Sequence, residues 1–179
     1  MDIRKVGRRF YQTYTKENGG KFKGLLGRPS LTARYTDYTI TGMVLFTAPD
    51  TNLNTGDVFF SKFNRAMICL DNADEESLGR TQRCFTVKPT NAHLSWKRPI
   101  KTVNKITGLE ESKGFENLGM LYCSLEEQGV NTSTLNVPFP KYKIITNKPL
   151  RLNDVIDDKY VVTKVDNFLG VIIADVKQS

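Results

Sequence analysis

The feature that most constrains the fold is a series of short apolar segments with no helical pattern between them. Beyond Pro29 these segments are rich in Thr, Tyr, Val, Ile and Phe and are bounded by Gly, Pro, Asn and Asp, which is typical of strands joined by turns. We predict strands over residues 33–40, 43–46, 58–60, 66–70, 83–87, 102–107, 118–124, 141–146, 160–165 and 169–176. The missing strand–helix alternation predicts a mainly β protein, a small barrel or sandwich of antiparallel strands.

The charge of the chain is concentrated at its N-terminus. Of the formal net charge of +7, residues 1–28 carry +6, from eight basic and two acidic side chains, and residues 29–179 carry +1. This asymmetry predicts an electrostatic role for the N-terminal segment, against nucleic acid or an acidic protein surface. The predicted contact residues are Arg4, Lys5, Arg8, Arg9, Lys21 and Lys23.

The same segment has the pattern of a short amphipathic helix. Ile3, Val6, Phe10 and Tyr14 are spaced by three and four residues, so a helix over residues 2–15 would carry them on one face. Residues 20–28 are rich in Gly and Lys and are interpreted as a linker. We therefore divide the chain into an N-terminal basic helix and arm, residues 1–28, and a single β-rich domain, residues 29–179. Deletion of residues 1–28 is expected to leave that domain folded.

Several classes of protein are disfavoured by the composition. No apolar run reaches the roughly 18 to 20 residues of a membrane-spanning helix, and charges stand where a signal peptide would be apolar, so we expect no membrane partner. Cys69, Cys84 and Cys123 are odd in number and lack close pairing, which predicts free, buried thiols and neither a disulfide framework nor a zinc site. The composition is that of a folded chain.

No arrangement of residues forms a recognisable active site. His93 is the single histidine and has no partner signature for acid–base or nucleophilic chemistry, so we interpret it as a loop or strand-edge residue. Asp50 with Glu111 and Lys113 has the residue types of a metal-dependent nuclease, but Glu110 and Glu111 have the pattern of a turn. The remaining weak candidates are Asp157-Asp158-Lys159 and the calcium-loop-like run 71–76. We expect no enzyme, no metal and no cofactor.

Nucleic-acid binding remains an alternative. Phosphate-binding loops of the Walker or dinucleotide type are missing from the sequence. The basic side chains are interleaved with Phe10, Tyr11, Tyr14 and Phe22, whose rings could stack on bases or could instead be buried. Acidic pairs recur elsewhere in the chain, so the basic segment could equally reach the acidic loops of a neighbouring subunit.

Two segments 97 positions apart resemble each other and also resemble a known family. Residues 55–59 (TGDVF) and 152–156 (LNDVI) each have a turn, an Asp and an apolar strand, and each is followed by a hairpin ending at residues 66–68 (AMI) or 160–162 (YVV). They resemble the turn–Asp–strand hairpins of small β-barrel virion proteins of tailed bacteriophages, in particular neck proteins of the head-closure or head–tail connector type. An internal duplication is the other interpretation of the match.

The resemblance implies a structural protein of the virion, made in the host cytoplasm. It implies a homo-oligomeric ring between the portal and the tail components, near packaged DNA, with no catalytic residues. The loop 124–140, which contains Gly129, Asn131, Thr132 and Ser133, would be a docking or channel loop. We thus expect a ring-forming subunit of a phage neck or adjoining tail, with an OB-like single-stranded nucleic-acid-binding protein as the alternative and a metal-dependent nuclease as a third hypothesis.

Overall fold

The described part of the chain is built entirely of β-strands and their connections. The computed structural model describes residues 11–35, 38–72, 83–128 and 141–178, and these residues contain no helix. The strands are β1 (Gln12–Lys16), β2 (Lys21–Tyr35), β3 (Tyr38–Thr47), β4 (Val58–Phe60), β5 (Ala66–Asn72), β6 (Arg83–Pro89), β7 (Ala92–Val103), β8 (Glu110–Gln128), β9 (Lys141–Thr146), β10 (Val155–Ile156), β11 (Tyr160–Phe168) and β12 (Val171–Gln178). The predicted mainly β class with antiparallel strands is confirmed.

The first six strands close into an antiparallel barrel. Their order is β1-β2-β3-β6-β5-β4, and the barrel closes where Lys16 of β1 lies opposite Phe59 of β4. Alternate side chains of the strands point inward and form one apolar core. Its buried members are Tyr14, Leu45, Leu53, Phe59, Met67, Cys69, Phe85 and Val87.

The last six strands form a second closed barrel. Their order is β7-β8-β9-β12-β11-β10, and the barrel closes where Trp96 of β7 lies opposite Ile156 of β10. The buried members of its core are Trp96, Leu121, Cys123, Ile144, Leu150, Ile156, Tyr160, Val162, Ile172, Ala174 and Val176. The two barrels correspond to two compact units, residues 1–90 with 168–171, and residues 91–167 with 172–179.

The two barrels have the same topology. Replacing each strand of the first barrel by the strand six places later turns its order, β1-β2-β3-β6-β5-β4, into the order of the second. The resemblance between residues 55–59 and 152–156 is therefore one part of a repeat that covers both six-stranded units, as an internal duplication would produce.

The turns before β4 and β10 agree in detail. Asp57 accepts a hydrogen bond from the Asn54 N–H at 2.9 Å, and Asp154 accepts one from the Arg151 N–H at the same distance. Gly56 and Asn153 occupy equivalent positions with positive φ angles of 86° and 68°, which Gly and Asn tolerate best. Each predicted hairpin is confirmed, since Val58 pairs with Ile68 in the first and Val155 with Val161 in the second.

The structure corrects the predicted N-terminal arm. Residues 1–10 lie outside the described residues, but residues 12–16 form a strand where the helix over 2–15 was predicted, and β2 runs through the predicted linker, residues 20–28. Tyr14 is buried and stacks on Phe22 at 5.4 Å, so the alternation of period two determines the structure of this segment. Gly24 is a packing residue, because a Cβ there would lie 2.9 Å from a Leu45 methyl carbon.

The boundary predicted between residues 28 and 29 also differs from the structure. It falls inside β2, where Gly27 and Ser30 lie on either side of a register shift against β3. The division into two units falls instead between Thr90 and Asn91, where the single domain predicted over residues 29–179 had no boundary. The sequence gives little sign of this division because only two residues, Thr90 and Asn91, connect β6 to β7, and they do not have the composition of a linker.

Candidate interaction surfaces

The predicted basic contact residues fall into two groups. Arg4, Lys5, Arg8 and Arg9 lie outside the described residues. Lys21 and Lys23 lie on β2, opposite Thr15 and Thr13 of β1, and both are exposed. The same strand therefore presents two neighbouring cations to solvent, since residues two apart on a strand share a face.

A cleft in the first unit adjoins these two lysines. It has a volume of about 540 Å³ and lies between the β1–β2 hairpin and the segment 48–52. Lys16 lines the cleft but is already engaged, because its ammonium donates to Asp57 at 2.7 Å and to the Asn52 carbonyl at 2.9 Å. Asp50 places a carboxylate in the wall. Both acidic and basic residues thus line the cleft, and Lys21 and Lys23 of β2 are among them.

The aromatic rings interleaved with the basic residues are mainly core residues. Tyr14 packs against Phe22 and, edge-on at 5.6 Å, against Phe59. Burial also raises the pKa of the Tyr14 hydroxyl. Tyr11 is half-buried, and Phe10 lies outside the described residues. In the described part of this segment, the rings of Tyr14 and Phe22 therefore stabilise the barrel and do not form a platform for bases.

The structure gives the surroundings of the candidate enzyme residues that lie in its described ranges. His93 is exposed on β7 and stacks on Tyr122 at 4.1 Å. Asp50 belongs to the first unit and Glu111 to the second, where Glu111 accepts a hydrogen bond from the Asn104 amide at 2.7 Å. Asp158 is paired with Lys97. Within the described ranges, no group of three or more His, Cys, Asp or Glu side chains could hold a metal ion.

The cysteines are buried and free, as predicted. Burial raises the pKa of the Cys69 thiol to about 12, with smaller contributions from the carboxylates of Asp57 and Asp71. Burial also raises the pKa of Cys123 to about 12. A thiol with such a pKa is protonated at neutral pH and is therefore a poor nucleophile and a poor metal ligand.

The most distinctive surface is a two-stranded extension of the second barrel, residues 99–115, named here the β7–β8 ribbon. Pro99 lies opposite Phe115, and Val103 lies opposite Glu110, so the ends of β7 and β8 pair with each other. Among the described residues, β7 pairs with β10 only at Trp96 and Lys97, and β8 pairs with β9 only over residues 124–128. The outer edges of the ribbon thus pair with no other described strand.

The ribbon carries an unusual amount of exposed apolar surface. The exposed fractions are 44% for Ile100, 62% for Val103, 95% for Ile106, 67% for Leu109 and 56% for Phe115. These five are more than half of the nine large apolar side chains that are exposed in the described part of the chain. An exposed cluster of this kind indicates a surface for a partner.

The internal repeat shows that the ribbon is an addition to the barrel. The equivalent strands of the first unit, β1 and β2, are joined by the short turn 17–20, so this pair of strands carries no extension. In the first unit the long hairpin is formed by β2 and β3 instead. No residue of the ribbon is buried, so it contributes little to the core of the second barrel. A two-stranded ribbon on its own is marginally stable in water, which also favours a partner that covers it.

Sequence reasoning missed the ribbon. Residues 102–107 were predicted as one strand, whereas β7 ends at Val103 and the chain turns at residues 104–109. Residues 110–114, interpreted as a turn, lie in β8. Asn104 and Gly108 could have indicated the turn, because both residue types are common in turns. The Asn104 side chain accepts hydrogen bonds from the Ile106 and Thr107 N–H groups, and Gly108 has a positive φ of 69°. The docking loop predicted over residues 124–140 lies outside the described residues beyond Gln128.

The chain was compared with known protein families, proteins and structures. No family model, no curated protein and no solved structure matches the chain. In the described residues, no helix is long and apolar enough to cross a membrane. The class defined by fold and surface is therefore a tandem pair of six-stranded antiparallel barrels with an exposed apolar ribbon on the second.

Proposed function

We propose that the chain is a non-enzymatic structural subunit of a tailed-phage virion, one that assembles as a homo-oligomeric ring in the head–tail connector, the neck or the adjoining tail. The observation that carries the assembly role is the β7–β8 ribbon, because five exposed large apolar side chains on an unburied extension favour association. The resemblance of the hairpins at residues 55–68 and 152–162 to those of phage neck proteins supports the place in the virion.

Light scattering after size-exclusion chromatography tests the assembly role. The wild-type chain is expected to give a mass well above 20.3 kDa that rises with concentration. The double variant Val103→Ser with Phe115→Ser should shift the mass towards the monomer, because it removes exposed apolar surface from both arms of the ribbon. A matched control, Phe63→Ser with Leu152→Ser, changes side chains that are 71% and 59% exposed outside the ribbon and should leave the mass unchanged.

A wild-type chain that stays monomeric at every concentration would contradict the assembly role. The virion role has its own test, because genes for virion proteins cluster. The flanking open reading frames are expected to encode portal, tail or other particle components, and mass spectrometry of purified particles should detect the chain. Flanking genes for one metabolic pathway would argue against a place in the virion.

Binding of single-stranded nucleic acid is the second candidate function. It is favoured by the exposed pair Lys21 and Lys23 beside the cleft of the first unit. If this function operates, fluorescence anisotropy with a labelled oligonucleotide should show binding that weakens steeply with salt. At a fixed salt concentration, the variant Lys21→Gln with Lys23→Gln should bind the oligonucleotide more weakly than the wild type. The control variant Lys113→Gln with Lys177→Gln loses the same charge at two exposed lysines of the second unit and should bind like the wild type.

A further inference from the structure

The charges on the β7–β8 ribbon are divided between its two arms. Lys101 on β7 and Lys105 in the following turn are exposed cations on one side. Glu110 and Glu111 are exposed anions at the start of β8 on the other side, and Lys113 is the exception to the division. Lys97 and Arg98 precede residues 99–115 and are paired with Asp158 and Asp154 of the barrel. Lys101 and Glu110 pair with each other at 2.7 Å, but their side chains remain 52% and 62% exposed.

Both arms carry exposed apolar side chains. Ile100 and Val103 belong to the β7 arm, Leu109 and Phe115 belong to the β8 arm, and Ile106 lies in the turn between them. A contact that uses one arm of each copy would therefore bury apolar surface on both sides. It would also leave the other arm of each copy available for a further contact.

We infer that the occupant of the ribbon is the ribbon of a second copy of this chain, with the β7 arm of one copy against the β8 arm of the next. This inference rests on the proposed assembly function and specifies its contact. Like arms placed together would oppose lysine to lysine or glutamate to glutamate, whereas unlike arms are complementary in charge. The contact is therefore heterologous, and a repeated heterologous contact closes into a ring or continues as a filament.

The contact is made by side chains more than by shared backbone hydrogen bonds. Pro99 has no N–H to donate, and the register between β7 and β8 shifts between Pro99 and Lys101. Both features interrupt continuous pairing along the outer edge of β7, as they do in edge strands that resist aggregation. Association then depends on the apolar side chains and on the matching of the two charged arms.

Charge reversal of one arm at a time tests the inference. One variant carries Lys101→Glu and Lys105→Glu, and the other carries Glu110→Lys and Glu111→Lys. Either variant alone makes its two arms alike in sign, so association should weaken by about tenfold or more. The combined variant with all four changes again has arms of opposite charge, so it should assemble like the wild type. It is also a control, because each single-arm variant loses the Lys101–Glu110 pair within the ribbon, a 2.7 Å contact in the wild type, and the combined variant restores it with the charges exchanged.

An equimolar mixture of the two single-arm variants is the decisive measurement. Each copy then finds a complementary arm only on the other variant, so the mixture should recover assemblies of alternating composition, measured by light scattering and by native mass spectrometry. Unchanged assembly by either variant alone, or a mixture that fails to recover, would overturn the inference while leaving the assembly function standing. A monomeric wild type would instead overturn the assembly function itself.

Discussion

At the scale of single residues, the equivalent aspartates of the two repeats, Asp57 and Asp154, differ in burial and in their hydrogen bonds. Asp154 is fully buried and accepts hydrogen bonds from Trp96 Nε1 at 2.8 Å and from Arg98 Nε and Nη2 at 2.9 Å. The hydrogen bond that Arg98 donates to Asp154 is the largest cause of the raised pKa of the Arg98 guanidinium. In the first unit Asp57 pairs with Lys16, and the Asp57 side chain is 27% exposed.

This difference predicts unequal losses of stability. Asp154→Ala leaves the Trp96 N–H without its acceptor and takes the carboxylate away from the Arg98 guanidinium, which keeps its bond to the Pro149 carbonyl. We therefore expect the free energy of unfolding of the second unit to fall by about 3 kcal/mol. Asp57→Ala should cost the first unit only about 1 kcal/mol, because solvent reaches that pair. Urea denaturation followed by circular dichroism, with Trp96 fluorescence reporting on the second unit, measures both changes. Equal losses in the two variants would contradict the distinction.

At the scale of elements, β1 determines whether the first barrel can close. It pairs with β2 through Tyr14 and Phe22 and with β4 through Lys16 and Phe59. Deletion of residues 1–28 removes β1 and the first eight residues of β2. The sequence predicted that this deletion leaves a folded domain. For the first unit we now expect the deletion to cause unfolding, because the opened sheet exposes a core that the closed barrel covers on all sides.

Hydrogen exchange measured by mass spectrometry tests the effect of that deletion. Amides of β3 and β6 in the first unit should lose protection in the deletion variant, because the opened barrel loses its cooperative core. Amides of β9 and β12 in the second unit provide the internal control and should exchange at wild-type rates. Preserved protection of β3 would show that β1 is dispensable.

The elements also show what the sequence could predict. The bounds predicted for residues 58–60 and 141–146 match β4 and β9, because their apolar, β-branched residues are bounded by clear turn residues. The predicted strand over 33–40 instead contains the end of β2 and the start of β3. β1 was missed because the helical spacing was taken from Ile3, Val6, Phe10 and Tyr14, of which only Tyr14 lies in β1, where it is the buried residue.

The candidate surface was less predictable than the fold. Exposure of Val103 and Phe115 depends on which neighbouring strands end before the ribbon begins, and that is a property of long-range pairing. Ile100 and Leu109 have the residue types of a core, so their pattern alone predicts burial. In contrast, the chemistry of Lys21 and Lys23 is visible in sequence, and the structure adds only that both are exposed.

At the scale of the whole molecule, the repeat implies that the second barrel can fold by itself. The second barrel includes β7–β12, closes by its own β7–β10 pairing and encloses its own core. The chain between the barrels passes from Thr90 to Asn91, with the Thr90 N–H bonded to the Ala66 carbonyl and the Asn91 N–H bonded to the Cys123 carbonyl. Each of these hydrogen bonds stays within one unit.

We therefore expect the fragment 91–179 to fold alone, whereas the fragment 1–90 lacks residues 168–171 of its unit and should be the less stable of the two. Two-dimensional NMR spectra and thermal denaturation of each fragment measure this directly. The fragment 91–179 should show dispersed amide signals, a single cooperative transition and Trp96 fluorescence like that of the full chain, because the indole keeps its bond to Asp154. A disordered fragment 91–179 would contradict this expectation. It would show that the second barrel needs the first in order to fold, although the two have the same topology.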